Sequence, residues 1–169
     1  MNITFDLPNT VELAAAWRCA PDVVREELTA AMEESEILLQ AAVQELTPVG
    51  ASGLLRESEL AQPVQQLSDQ IIGVVGTSIN YAESVELGTA PHFPPVEALE
   101  DWVKAKLHVD DADVHRVAFL IARKISISGT PAAGMFHRGL NKVRETIAQR
   151  FETARNRIVE RLAIQSGSA

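Results

Sequence analysis

An α+β fold is predicted for this 169-residue chain from three observations. Two long stretches, about 21–46 and 134–163, repeat apolar residues every three or four positions, the period of a helix with one buried face. Between them lie two adjacent strand-like runs, roughly 57–66 and 70–78, joined by the polar turn Leu67-Ser68-Asp69-Gln70. Hydrophobic residues make up 46% of the chain and aromatics only 5%, so the core rests on Leu, Ile, Val and Ala, which suits helices. The length fits one core of ordinary size, giving a single domain over 1–163 and a small, polar, flexible tail at 164–169.

The elements follow in order. Ile3, Phe5 and Leu7 alternate and predict a short strand over 2–7, ended by Pro8. Asn9 followed by Glu12 is a capping-box pattern for a short helix over 10–18. Pro21 is placed to start a second, long helix. Its narrow apolar face is Val24, Leu28, Ala31, Ser35, Leu38, Ala42 and Leu46, and its opposite face is acidic through Glu26, Glu27, Glu33, Glu34 and Glu36. Pro48 to Gly53 breaks that helix. Pro63 has no N–H to donate, which makes the first strand-like run an edge, and Gly73 and Gly76 point to a bulge or a close backbone approach in the second.

Tyr81 to Leu87 predicts a short helix stopped by Gly88, a residue suited to reversing the chain at a helix end. Pro91-His92-Phe93-Pro94-Pro95 is a stiff connector. The helix predicted over 96–107 has Glu97, Glu100 and Asp101 early and Lys104 and Lys106 late, in keeping with the helix dipole. Asp110 or Asp111 caps the next helix, whose apolar series is Val114, Val117, Ala118, Ile121 and Ile125, and Ser128-Gly129-Thr130-Pro131 ends it. The last helix carries the stripe Phe136, Leu140, Val143, Ile147, Phe151, Ala154, Ile158 and Leu162.

The charge balance limits the function classes. The formal net charge is −8, which disfavours nucleic acid as a default partner, since phosphate affinity comes from Lys and Arg. The charge is asymmetric: residues 1–133 carry a net −12 and residues 134–169 a net +4, a pattern that suits an acidic face meeting a basic one between subunits. The single Cys19 allows no intrachain disulfide and fits a reducing cytoplasm. No run of 18 apolar residues and no signal-peptide pattern are found, so no membrane association is expected.

Candidate chemistry is sparse. His92, His108, His115 and His137 have no metal-ligand spacing, and Asp110, Asp111 and Asp113 are better read as helix-start acids than as metal ligands. Cys19 reads as a half-buried thiol, and Trp17 and Trp102 as core or interface anchors. Glu83 and Glu86 read as surface residues of a short helix. No phosphate loop or nucleophile elbow is present. No catalytic residue, cofactor or metal is therefore expected. The basic helix end, Arg144, Arg150, Arg155, Arg157 and Arg161, is the one candidate nucleic-acid patch.

Three stretches resemble a known family. Pro48-Val49-Gly50-Ala51-Ser52-Gly53-Leu54-Leu55-Arg56-Glu57-Ser58 resembles the "P-V-x-x-x-G-x-L-R-x-S" opening of phage tail-component proteins, with Ala51-Ser52 where the commonest form has Asp-Thr. Asn80-Tyr81-Ala82-Glu83-Ser84-Val85-Glu86-Leu87-Gly88-Thr89 is similar to their "Y-A-x-x-V-E-x-G-T" signature. Gly129-Thr130-Pro131 through Met135-Phe136 looks like their later "P-x-x-F" segment. The family is that of tail-completion or head–tail joining proteins, including those similar to minor tail protein Z of lambdoid phages. The resemblance covers about residues 45–140.

It implies a small antiparallel sheet packed against a long helix, with additional helices and a long C-terminal one. It implies a non-enzymatic virion protein of a long-tailed bacteriophage, held in the host cytoplasm before assembly. Such a subunit forms a ring, a hexamer, at the neck, and meets the tail terminator or tail tube protein and a head connector or stopper protein. DNA would be only cargo passing through the channel. The expected interface loop is Tyr81, Glu86, Gly88, Thr89, Pro91, Phe93 and Pro94. The helix over 134–163, with Arg150 and Arg157, would make a second contact. The alternative is a cytoplasmic helical regulator that docks a protein or nucleic acid through its basic C-terminal helix.

Overall fold

A computed structural model of the chain describes residues 10–67 and 70–167, with side chains at 20–67 and 70–164. The fold is α+β: α1 (Thr10–Leu46), α2 (Leu54–Glu57), β1 (Leu60–Ala61), β2 (Gln65–Gln66), β3 (Ile71–Ile72), β4 (Val75–Gly76), α3 (Ala82–Leu87), α4 (Glu97–Leu107), α5 (Asp111–Ser128) and α6 (Met135–Gly167). The strand expected over 2–7 and the side chains of Trp17 and Cys19 lie outside the described residues.

The break expected at Pro21 does not occur. Pro21 lies inside α1, so the helices read as 10–18 and 21–46 are one. An interior proline loses one helical hydrogen bond and crowds the carbonyl four residues back, a cost of about 3 kcal/mol. A helix with several turns on either side carries that cost without ending. At the other end of the chain α6 continues to Gly167, into the segment read as a flexible tail.

The chain divides into two compact units. One comprises residues 1–38, 62–74 and 143–169; the other comprises 39–61 and 75–142. In the first unit Val23, Ala31 and Ser35 on α1 and Val143 and Ala154 on α6 are buried. The face of α1 is rotated slightly from the one read by spacing: Val24 and Leu28 are only half-buried, and Val23 takes the interior place. Strands β2 and β3 pair antiparallel, Gln65 opposite Ile72 and Gln66 opposite Ile71. The acidic face is also corrected at Glu36, which is buried and accepts the N–H of Val74. Gly73 shows why this contact forms. A Cβ there would lie 2.6 Å from the Met32 sulfur and 2.7 Å from a Glu36 carboxylate oxygen. The close approach expected at Gly73 is thus present, whereas nothing crowds Gly76.

In the second unit β1 and β4 pair antiparallel, Leu60 opposite Gly76 and Ala61 opposite Val75. The two strand-like runs are therefore each interrupted, and Glu57, at the start of the first, belongs to the helical turn α2. Pro63, in the first unit, has no N–H to donate; beside it the Gln62 N–H donates to the Val74 carbonyl at 2.8 Å. One core cluster consists of Val43, Leu55, Ala82 and Met135, with Leu39, Leu46, Ile79, Val85 and Phe136 against it. A second consists of Val103, Val114 and Ala118, which join α4 to α5.

Gly139 sits on α6 directly against α1. A Cβ there would lie 2.9 Å from the Val43 Cγ2 and 3.2 Å from its backbone nitrogen. The helix backbones meet closely because this position has no side chain. Gly139→Leu should therefore lower stability by about 1–3 kcal/mol through overpacking, read as a reduced midpoint in urea unfolding. An unchanged midpoint would show that the two helices do not meet through this position.

Candidate functional site

The three stretches that carry the family resemblance converge in the second unit. Each supplies one buried residue to a single core cluster: Leu55 from the first, Ala82 from the second and Met135 from the third. Met135 is fully buried. Residues more than 70 positions apart in sequence thus serve one packing site.

The polar residues of the signatures tie α3 to the start of α6. The Glu86 carboxylate accepts the backbone N–H of Phe136 (2.9 Å) through Oε2 and that of His137 (3.1 Å) through Oε1. The first N–H groups of a helix have no partner within it, and an anion there also meets the positive end of the dipole. In return, the N–H groups of Ala133 and Gly134 donate to the Val85 and Glu86 carbonyls at the end of α3. Thr89 and Thr130 form an isolated antiparallel bridge, with backbone bonds of 3.1 and 3.2 Å and hydroxyls 2.9 Å apart.

Gly88 and Gly129 flank the bridge. Both have positive φ, 74° and 67°. A Cβ on Gly88 would lie 2.5 Å from the Thr130 carbonyl oxygen, and one on Gly129 would run into Thr89. Neither the backbone conformation nor the space admits a side chain.

Among the residues expected to form an interface loop, Glu86, Gly88 and Thr89 are thus engaged inside the unit. Sequence reading placed Glu86 on a solvated surface; it is half-buried because the helix it caps lies 50 residues further on. Tyr81, Pro91 and Phe93 are exposed and Pro94 is half-buried. The Phe93 ring rests against Phe119 of α5, centroids 6.0 Å apart and tilted by 60°, an edge-to-face arrangement that orders the connector.

Comparison with protein-family models, curated proteins and solved structures finds no match.

The basic C-terminal helix finds its partners on α1. In the first unit Arg150 pairs with Glu34, Arg161 with Glu26 (2.8 Å) and Glu27 (2.7 Å), and Arg157 approaches Glu27 at 4.0 Å. Arg155 pairs with Glu152 one turn away. In the second unit Lys142 meets Glu45 at 2.6 Å, and this ammonium holds the Glu45 carboxyl below the ordinary glutamate range. The two Glu26 and Glu27 hydrogen bonds push the Arg161 guanidinium up. Arg150 and Arg157, expected at an intermolecular contact, thus face glutamates of their own chain.

The remaining candidates are local. Asp110 precedes α5 in an extended conformation, but its side chain makes no capping bond; Asp113 instead pairs with Arg116. His115 hydrogen-bonds Glu100 at 2.8 Å. Among the described residues no group of three or more His, Cys, Asp or Glu is placed to hold a metal ion. No described helix is long and apolar enough to cross a membrane.

Glu59 was invisible to sequence reasoning. It is fully buried, and its Oε1 accepts the Thr47 hydroxyl at 2.6 Å. Its Oε2 has no hydrogen-bond partner. Burial pushes the carboxyl up, opposed by the Thr47 hydrogen bond and by Arg56 and reinforced by Glu86. No periodicity marks position 59, because it sits between a helical turn and a two-residue strand. The folded state favours the protonated form, so Glu59 favours folding below the ordinary value of 4.5, and that contribution is lost as pH rises through the elevated value.

Glu59→Gln should consequently raise the Tm at neutral pH and flatten the fall in stability above pH 4.5. A variant less stable than the parent at pH 7 would show that the charge is well accommodated. Glu86→Ala should cost about 1–2 kcal/mol, the usual worth of a helix cap. This is a Tm decrease of about 3–6 °C for a chain of this size, measurable by calorimetry.

Proposed function

We propose that this chain is a structural subunit of a long-tailed bacteriophage, a tail-completion protein that forms a ring at the neck between head and tail. The observation that carries this reading is the convergence of the three signature stretches on one core cluster and one α3–α6 junction. The residues that make the resemblance are the ones whose packing, capping and glycine conformations build this unit. The likeness therefore has a physical content beyond matching letters.

The site has the character of a contact surface. Glu86, Gly88 and Thr89 hold the connector in place, while Tyr81, Pro91 and Phe93 stand in solvent on a stiffened segment. Exposed aromatics on a rigid loop are suited to burial against a neighbouring protein. Partners in this reading are further copies of the chain, a tail terminator or tail tube protein, and a head connector or stopper. An overall acidic ring would let DNA pass without adhering, since like charges repel.

The alternative, a helical regulator that docks a protein or nucleic acid through its basic helix, is weakened by the ion pairs. Arg150, Arg157 and Arg161 already face α1 carboxylates in the first unit. Phosphate would have to compete with glutamates held in place by the fold.

Deleting the gene from a phage that carries it should yield separate filled heads and tails, joined again when the protein is supplied in trans. Electron microscopy of lysates reads the outcome. Release of intact, infectious particles from the deletion strain would reject the proposal.

A further inference from the structure

Two surfaces of the second unit are both apolar and opposite in charge, and each copy of the chain carries both. The first is an open groove of about 470 Å³. Its apolar walls are Val49, Leu54, Tyr81 and Trp102, all exposed or half-exposed. Asp101 lines it, and the Glu57 carboxylate lies at its rim, 3.8 Å from where a Cβ on Gly53 would stand. Neither carboxylate is in an ion pair among the described residues. Large side chains left open to water around two unpaired acids form a surface better covered than bare.

The second surface is the outer face of α5. Its inner face, Val114, Ala118 and Ala122, is buried. On the opposite side Leu120, Arg123 and Ile127 recur at steps of three and four, with Lys124 beside them. Leu120 is 53% exposed and Ile127 72% exposed, which leaves an apolar strip of α5 open to water. Arg123 and Lys124 have no ion-pair partner among the described residues.

We infer that the groove of one copy receives the outer face of α5 from a second copy, with Arg123 and Lys124 meeting Asp101 and Glu57. The occupant follows from charge: an apolar groove with acidic edges fits an apolar helix face with basic edges. The same helix face cannot fill the groove of its own chain, because α4 turns Leu99 and Val103 toward α5 and Ala98, Asp101 and Trp102 toward the groove. The contact is therefore head-to-tail, each copy using one surface on either side, and such contacts repeat around a ring. Ring closure rests on the neck proposal; the pairwise contact does not.

The test uses full-length protein in light scattering and sedimentation. The wild type should self-associate beyond a dimer, more weakly at high salt. Arg123→Glu with Lys124→Glu, or Glu57→Lys with Asp101→Lys, should each weaken association by about 100-fold or more, because like charges then face each other. An equimolar mixture of the two variants should associate beyond a dimer as the wild type does, since the native groove of one takes the native α5 face of the other and the two reversed surfaces match in turn. A chain carrying all four substitutions should associate again, which also shows that the variants fold. A wild type that is monomeric at every concentration reached, association unaffected by either reversal, or a mixture that stays monomeric would each overturn the inference. If association follows this pattern while deletion phage remain intact, the neck proposal falls and the contact stands. If deletion separates heads from tails while the variants still associate, only the contact falls.

Discussion

The second unit depends on the junction where the Glu86 carboxylate receives the first N–H groups of α6. A six-residue helix such as α3 has little stability alone, since nucleation of a helix is unfavourable. It gains from being bound at both ends of its chemistry: its last carbonyls accept N–H groups from the approach to α6, and its glutamate returns the favour. The Thr89–Thr130 bridge then closes the chain segments behind it. Two glycines make this approach possible, because any Cβ at either position would enter the opposing backbone.

Charge explains a second level of organisation. The chain separates acid at its front from base at its end, which on composition alone suggests binding between molecules. Much of that complement is instead satisfied within the first unit, α6 arginines against α1 glutamates. Exposed pairs of this kind stabilise weakly, about 0–1 kcal/mol each. They do, however, remove cations from the inventory available to a polyanion. Among the charges outside these pairs, Asp101 and Glu57 at the groove and Arg123 and Lys124 on α5 stand beside exposed apolar side chains.

Two buried glutamates run against the expectation that acids line the surface. Glu36 is accommodated because the hairpin offers it a backbone N–H where Gly73 lets the chain come close. Glu59 is less well served, with one oxygen bonded and one without a partner. Both sit in surroundings assembled from segments distant in sequence, so the spacing that put Glu36 on an acidic helix face did not show its burial, and no spacing marked Glu59.

By itself the sequence determined the elements and the places where the chain must turn. The periodicities of α1, α4, α5 and α6, the stop at Gly88 and the close approach at Gly73 follow from backbone geometry and burial within a few residues of each position. Tertiary structure decided what those local rules do not contain. It carried α1 through Pro21, because neighbouring turns outweigh one lost hydrogen bond. It divided the strand-like runs between two separate pairings, turned Glu86 from a surface acid into a helix cap, and set the C-terminal arginines against α1. The cap and the arginine pairs depend on partners 50 to 135 residues away, and periodicity along one segment carries no information about which distant segment will face it.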